Sequence, residues 1–176
     1  YIGGCVQIIP IERSTRYYIF TTDNFDNPNH ALQYHIVDMA ADNGLGDVVV
    51  KNRLLQTGMM ESLAAVRHCN GRDWWVVGRK GTSDEYLSFL VRPDTVINAP
   101  VISNIGAYHH GIVHDWVTVT KISPNGNWLA TAYVIEGNIE LARFNDATGE
   151  TQVVLQDYDG GNHSLGCSFS SDSRDL

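Results

Sequence analysis

The sequence predicts an all-β chain built by copying one four-stranded sheet. Three observations predict it. Short β-branched and aromatic runs alternate with turns rich in Asn, Asp, Gly and Pro along the whole chain. A strand, a tight turn and a strand at Val117–Thr131 (VTVTKISPNGNWLAT) recur at Ala65–Gly78 (AVRHCNGRDWWVVG), begin again at Leu165–Leu176 (LGCSFSSDSRDL) and match in part at Arg16–Thr21 (RYYIFT). Helical periodicity is weak. The one rival stretch, Leu54–Val66, is interrupted by Gly58 and overlaps a repeat copy.

In chain order, Cys5–Ile9 (CVQII) is β-branched and stops at Pro10, a short strand. Tyr17–Thr22 (YYIFTT) is a second strand. Asp23–His30 (DNFDNPNH) is a loop, Ala31–Met39 a third strand, Asp42–Gly46 a turn and Asp47–Leu55 a fourth strand. The series then restarts. Ser62–Arg67 and Asp73–Gly78 flank a turn at Cys69-Asn70-Gly71. Arg79–Asp84 reads as a charged loop, and Tyr86–Val91 and Val101–Ile105 follow as strands around a Pro93–Asn98 turn. In the third set, Trp116–Ile122 alternates Val and Thr with the period of a half-exposed strand. Trp128–Tyr133, Ile139–Phe144 and Thr151–Leu155 complete it, separated by Glu136-Gly137 and Asn145–Gly149.

Aligning Tyr18, Trp75, Leu129 and Leu176 as equivalents gives intervals of 57, 54 and 47 residues. Four strands per repeat of about 40–50 residues is the pattern of β-propeller blades. The physical reason is burial: a lone four-stranded sheet cannot cover both faces, whereas blades stacked around an axis cover one another. The expected blades are about 5–56, 61–106 and 115–157, with a fourth starting at about 163–176. Three blades and a fraction are fewer than a closed ring needs, so the expectation is an open arc of a larger ring. A tandem β-sandwich is the competing architecture.

With 176 residues, 43% hydrophobic and 18% charged, the chain has the composition of a globular domain. A net charge of −8 argues against nucleic acid and anionic membranes as partners, since both require a basic face. No apolar run is long enough to span a bilayer as a helix. Cys5, Cys69 and Cys167 share no metal-ligand spacing and read as three buried or half-buried thiols, with one bridge left open.

Four stretches carry a family look: YYIFTTD (Tyr17–Asp23), GLGDVVVKN (Gly44–Asn52), HCNGRDWWVV (His68–Val77) and SPNGNWLA (Ser123–Ala130). Together they resemble the propeller region of large secreted surface proteins of gliding, type IX-secreting bacteria, with WD40-like or YVTN-like blades. The resemblance spans essentially the whole chain, although SPNGNWLA alone is common to many propellers. It implies export to the cell surface or medium and a role in attachment or motility-associated structures. It brings no catalytic motif.

Several residues could carry chemistry. His109, His110, His114 and Asp115 are ligand types close together in YHHGIVHDW. In a strand His110 and His114 share a face but stand about 13 Å apart, too far for one ion. A rim loop with surface histidines is the expected reading. SPNGNW is similar to the S-x-D-x-G-x-x-W box of sialidase-type blades but lacks its Asp and its spacing; Arg67, Arg72 and Arg79 lie around a turn rather than at a carboxylate-binding site. Asp23, Asp26, Asn27 and Asn29 form an oxygen-rich loop, and Asp38, Asp42 and Asp47 bracket another; both are expected to be solvated turns rather than calcium sites. Trp74 and Trp75 must point to opposite sides of their strand, so at least one is expected between blades, and Trp74, Trp75, Trp116 and Trp128 are read mainly as packing residues. The windows expected to be inner strands (CVQII, SLAAV, WVTVT, SLGCS) carry no charge. The expected function is therefore a noncatalytic binding or structural module, not an enzyme, with no metal or cofactor. Its expected partners are a protein or a surface polysaccharide, and the remainder of a longer chain or a larger assembly. The alternative is a lactonase-like or glycosidase-like hydrolase working in the central channel.

Overall fold

The computed structural model describes residues 5–24, 26–108, 117–134, 137–158 and 166–176. Among these residues twelve strands form three antiparallel sheets, each with its strands side by side in chain order. The first holds β1 (Val6–Pro10), β2 (Arg16–Thr22), β3 (Leu32–Asp38) and β4 (Asp47–Gln56). The second holds β5 (Met59–Arg67), β6 (Trp74–Lys80), β7 (Glu85–Val91) and β8 (Val101–Asn104). The third holds β9 (Thr118–Ile122), β10 (Trp128–Tyr133), β11 (Asn138–Phe144) and β12 (Thr151–Tyr158). Apart from one tight turn at Ala41–Gly44, the described residues contain no helix.

Alternation along each strand decides what packs where. In β2, Tyr18 and Phe20 face the second sheet and are buried, while Tyr17 on the opposite face is exposed. Ile9, Tyr18, Phe20 and Leu32 meet Met59, Leu63, Val76, Leu87 and Phe89, and this is the first inter-sheet core. Trp75, Val77 and Tyr86 meet Leu129, Ala142 and Phe144, and this is the second. Each large apolar side chain so buried contributes about 1.5–3 kcal/mol before the entropy of ordering it is charged against it. The first strands of successive sheets touch: Gln7 Nε2 donates to the Leu63 carbonyl at 2.9 Å, and the Ser62 hydroxyl lies 2.7 Å from those of both Thr118 and Thr120. First strands therefore lie on the inside of the stack and β4, β8 and β12 on its rim. These are consecutive blades of a β-propeller.

The hairpin that recurs in the sequence recurs in hydrogen bonds. His68 N–H donates to Asp73 C=O, Ser123 to Trp128 and Ser170 to Asp175, at 2.9, 2.8 and 2.9 Å. In each, the fourth residue has φ > 0: Gly71 at 70°, Gly126 at 78° and Ser173 at 62°. Glycine takes that conformation without strain and Ser173 is the exception. The turn at Ile11–Arg16 has the same closing bond (3.0 Å), with its left-handed residue, Arg13, one position earlier.

Three details differ from the sequence reading. Leu129 is in register with Trp74, not Trp75: Leu129 pairs with Ile122 as Trp74 pairs with Arg67, and a one-residue offset exchanges faces. Strand β5 begins at Met59, earlier than expected, and so carries the buried Glu61 into an inner strand. Strand β6 continues through Arg79 and Lys80, and Arg79, expected in a charged loop, is fully buried. All three cysteines are free thiols, and Cys69 is exposed rather than buried because it rides on the tip of a hairpin.

Candidate functional site

The second inter-sheet core turns polar at one end. Arg79 on β6 and Glu140 on β11 are 0% and 2% exposed at the side chain, with Arg79 Nε 4.0 Å from Glu140 Oε2. That distance is Coulombic attraction without a hydrogen bond, and Arg79 Nε and Nη1 have no hydrogen-bond partner among the described residues. The hydroxyls of Tyr86 and Tyr133 each donate to Glu140 Oε2 at 2.6 Å. Burial foremost pushes the Tyr86 phenol up, with Glu140 adding to the effect; Tyr133 is raised mainly by burial as well. Both therefore stay protonated and donate to the carboxylate. Burial alone would lower the Arg79 pKa, but Tyr133, Tyr86 and Glu140 together raise it. The guanidinium carbon sits 4.7 Å from the Tyr86 ring centre.

The cluster also holds the chain leaving β8. Ala107 N–H donates to Glu140 Oε1, the Ala107 carbonyl accepts from Arg79, and Gly106 lies so close to the guanidinium that no side chain fits there. A hydroxyl chain continues inward from Tyr86 through Thr131 (3.2 Å) and Thr120 (3.2 Å) to Ser62. Every member is a framework group joining two blades.

Two open features lie beside this framework. The larger is a rim cleft of ≈ 810 Å³ between β8 and the β11–β12 hairpin. Its lining includes Ile102 and Ile105 from the second sheet and Arg143, Phe144, Asp146, Glu150 and Gln152 from the third. Thr151 is 5% exposed and its Oγ1 has no hydrogen-bond partner among the described residues, although its N–H donates to Ser103 Oγ at 3.0 Å. Arg143 covers the Trp128 ring at 5.3 Å. The second feature is a groove of ≈ 550 Å³ between the β5–β6 and β9–β10 hairpins, lined by Arg67, His68, Cys69, Asn125 and Asp146 among others. There His68 stacks on Trp75 at 5.6 Å and Trp75 Nε1 donates to the Asp146 carbonyl at 2.8 Å.

The sequence candidates fall into three groups. His109, His110, His114, Asp115 and Trp116 lie outside the described residues. The oxygen-rich loops are spent on their own turns. Asp23 accepts from Ala31 N–H at 2.9 Å and Asn27 from Asn29 N–H at 3.1 Å; Asp38 accepts from Arg16, Thr15 and Ala40. Those bonds, Arg16 first, hold the Asp38 carboxyl at about 2. Asp42 occupies a φ of 46° in its turn, and Asp47 accepts from Val48 N–H. No group of three or more His, Cys, Asp or Glu side chains is placed to hold a metal among the described residues. The arginines disperse: Arg67 reaches Glu12 at 3.6 Å, Arg72 binds Asp73 at 2.8 Å, and Arg79 is buried. Trp75 is 4% exposed between blades, and Trp74 is half-buried under Arg67. Sequence reasoning missed Glu140 and the rim cleft, since both depend on which strands of adjacent blades meet.

The chain matches no protein-family model, and no curated protein matches it in sequence. Among solved structures it is similar to a protein of Bacteroides fragilis provisionally named a 6-phosphogluconolactonase (TM-score 0.59, 12% identity, 97% of this chain and 45% of that one). A Bacteroides uniformis protein with the same provisional name gives a TM-score of 0.55 at 13% identity, covering 95% and 47%. Hydrazine synthase of Kuenenia stuttgartiensis gives 0.50 at 16%, covering 96% and 39%. At these identities the likeness is one of fold, propeller-like in each case. The chain spans about half the length of the two Bacteroides proteins or less.

Proposed function

We propose that this propeller segment is a noncatalytic binding module. The observation that carries the reading is the use made of buried charge. Arg79 and Glu140 are locked into a blade interface, Asp73 is held by Arg72 and Asn70, and Glu61 is engaged within the fold. A general acid or base must reach its substrate, and these groups are committed to neighbours instead. The open surface is a rim cleft with mixed walls, suited to holding a partner. Display on a bacterial surface, with a protein or polysaccharide partner, is the setting that the sequence resemblance supports.

The competing reading is a lactonase. It draws support from the provisional names of the two Bacteroides proteins and from Glu61 on an inner strand. One experiment separates them. Purified protein is incubated with 6-phosphogluconolactone and proton release is followed against the spontaneous rate. No acceleration is expected. Turnover that is lost on Glu61→Gln would replace the binding reading with the hydrolase.

A further inference from the structure

We infer that the rim cleft between β8 and the β11–β12 hairpin binds an extended peptide carrying alternating apolar and basic residues, which adds as a strand to the edge of β8. The inference rests on the binding-module reading and names its partner. Its first support is the edge itself. Among the described residues strand β8 pairs with β7 alone, through Ser88–Val101 to Glu85–Asn104, and so presents one row of backbone groups at strand spacing. Exposed edges are normally blunted by shortness, charge, bulges or proline. The rim strand β4 is blunted in that way: it carries Lys51 and Arg53 and three register shifts against β3. Strand β8 is short, four residues directly after Pro100, but within Val-Ile-Ser-Asn it has no charge and no bulge, its pairing is regular, and Ile102 on it is 52% exposed.

The opposite wall supplies selectivity. Among the described residues Asp146 and Glu150 line the cleft with a single cation, Arg143, whose guanidinium lies over Trp128. The wall is thus net acidic and favours a cationic guest. Ile102, 52% exposed, is the apolar side chain of the lining most open to a guest, since Ile105 and Phe144 are packed into the second core. The buried Thr151 Oγ1 adds one polar group that lacks a partner among the described residues and sits at the cleft wall. A sugar could meet the polar wall, but it cannot ladder with a strand edge.

The probe is a fluorescein-labelled heptapeptide alternating valine and lysine, read by fluorescence anisotropy with the 176-residue chain. Two controls keep its charge: one replaces valine by glycine, the other places proline at the centre. Saturable binding is expected, about tenfold weaker for each control and for Glu150→Lys or Ile102→Asp. Both substitutions are at exposed positions. Hydrogen exchange should slow at 101–104 when the heptapeptide is bound. Equal binding of the glycine control would reduce the effect to attraction by an acidic chain and overturn the inference. So would full affinity in Glu150→Lys and Ile102→Asp, or no binding at millimolar peptide. Binding of cellohexaose but not the peptide would overturn the peptide inference and leave the binding module standing. Lactone turnover, by contrast, would remove the module reading itself.

Discussion

Replacing Arg79 by Met tests whether the blade interface depends on its buried charges as pairs. Arg79 is 0% exposed and Glu140 2%, so neither can turn to water if the other is lost. Removing one member of such a pair costs about 3–5 kcal/mol, mostly because the remaining charge is stranded. For a chain of this size each kcal/mol shifts Tm by about 2–4 °C, so Arg79→Met should melt roughly 6–20 °C below the wild type. Urea unfolding followed by tryptophan fluorescence, with calorimetry, gives both numbers. Glu140→Leu alone should cost a similar amount, because it strands the Arg79 charge and removes the carboxylate that accepts from Tyr86, Tyr133 and Ala107 N–H. Replacing the four side chains together, as Arg79→Met, Tyr86→Phe, Tyr133→Phe and Glu140→Leu, removes both charges and both hydroxyls, leaves the Ala107 backbone groups and Thr131 to find new partners, and should be less destabilised than either single charge removal. If Arg79→Met alone stays within about 1 kcal/mol of the wild type, the cluster is not the desolvated pair its geometry describes.

Gly149 has φ +77° and an added Cβ would stand 2.7 Å from the Trp75 ring, so Gly149→Ala should cost about 1–3 kcal/mol and shift tryptophan emission. Gly106→Ala places a methyl against the Arg79 guanidinium and should lower Tm by several degrees, an effect that calorimetry on the Arg79→Met background should show reduced. The Asp38 carboxyl is held at about 2, below its ordinary 3.8, first by Arg16 and then by Thr15 and Ala40. Its contribution to stability is therefore present above pH 4 and is lost as pH falls from about 4 towards 2. Melting of Arg16→Ala against wild type should differ above pH 4 and converge near pH 2. Ser62→Ala breaks the link between the first strands of the second and third blades and should cost about 1 kcal/mol in urea unfolding.

The fold was legible because its cause is local. Turn residues such as Pro124-Asn125-Gly126 and alternating runs such as VTVT each dictate a hairpin, and repetition of the hairpin dictates stacking. What escaped depends on partners distant in sequence. RKGTSDE reads as a solvated loop, and nothing in it shows that Tyr86 pairs with Arg79 across the hairpin or that Glu140 and Tyr133 wait across the blade interface. Glu61 escaped for a smaller reason: two methionines before it, Met59 and Met60, extend the strand past its β-branched stretch. The offset between Trp75 and Leu129 was readable: the two hairpins have the same length, and placing Gly71 on Gly126 sets Trp74, not Trp75, against Leu129. The rim cleft was unreadable because its walls belong to two blades, and only the stacking brings Ile102 near Glu150.

The first blade bears on how the polypeptide will behave in a tube. On the side turned away from the second blade, Val6, Ile8, Tyr17 and Leu54 stand 56, 60, 38 and 57% exposed, with Ile19 paired beside Ile8. Such a greasy flank is wetted at a cost and will adhere to whatever it meets. Concentrated samples of these 176 residues should self-associate or bind hydrophobic resin, and Ile8→Lys with Tyr17→Glu should keep them dispersed in light scattering.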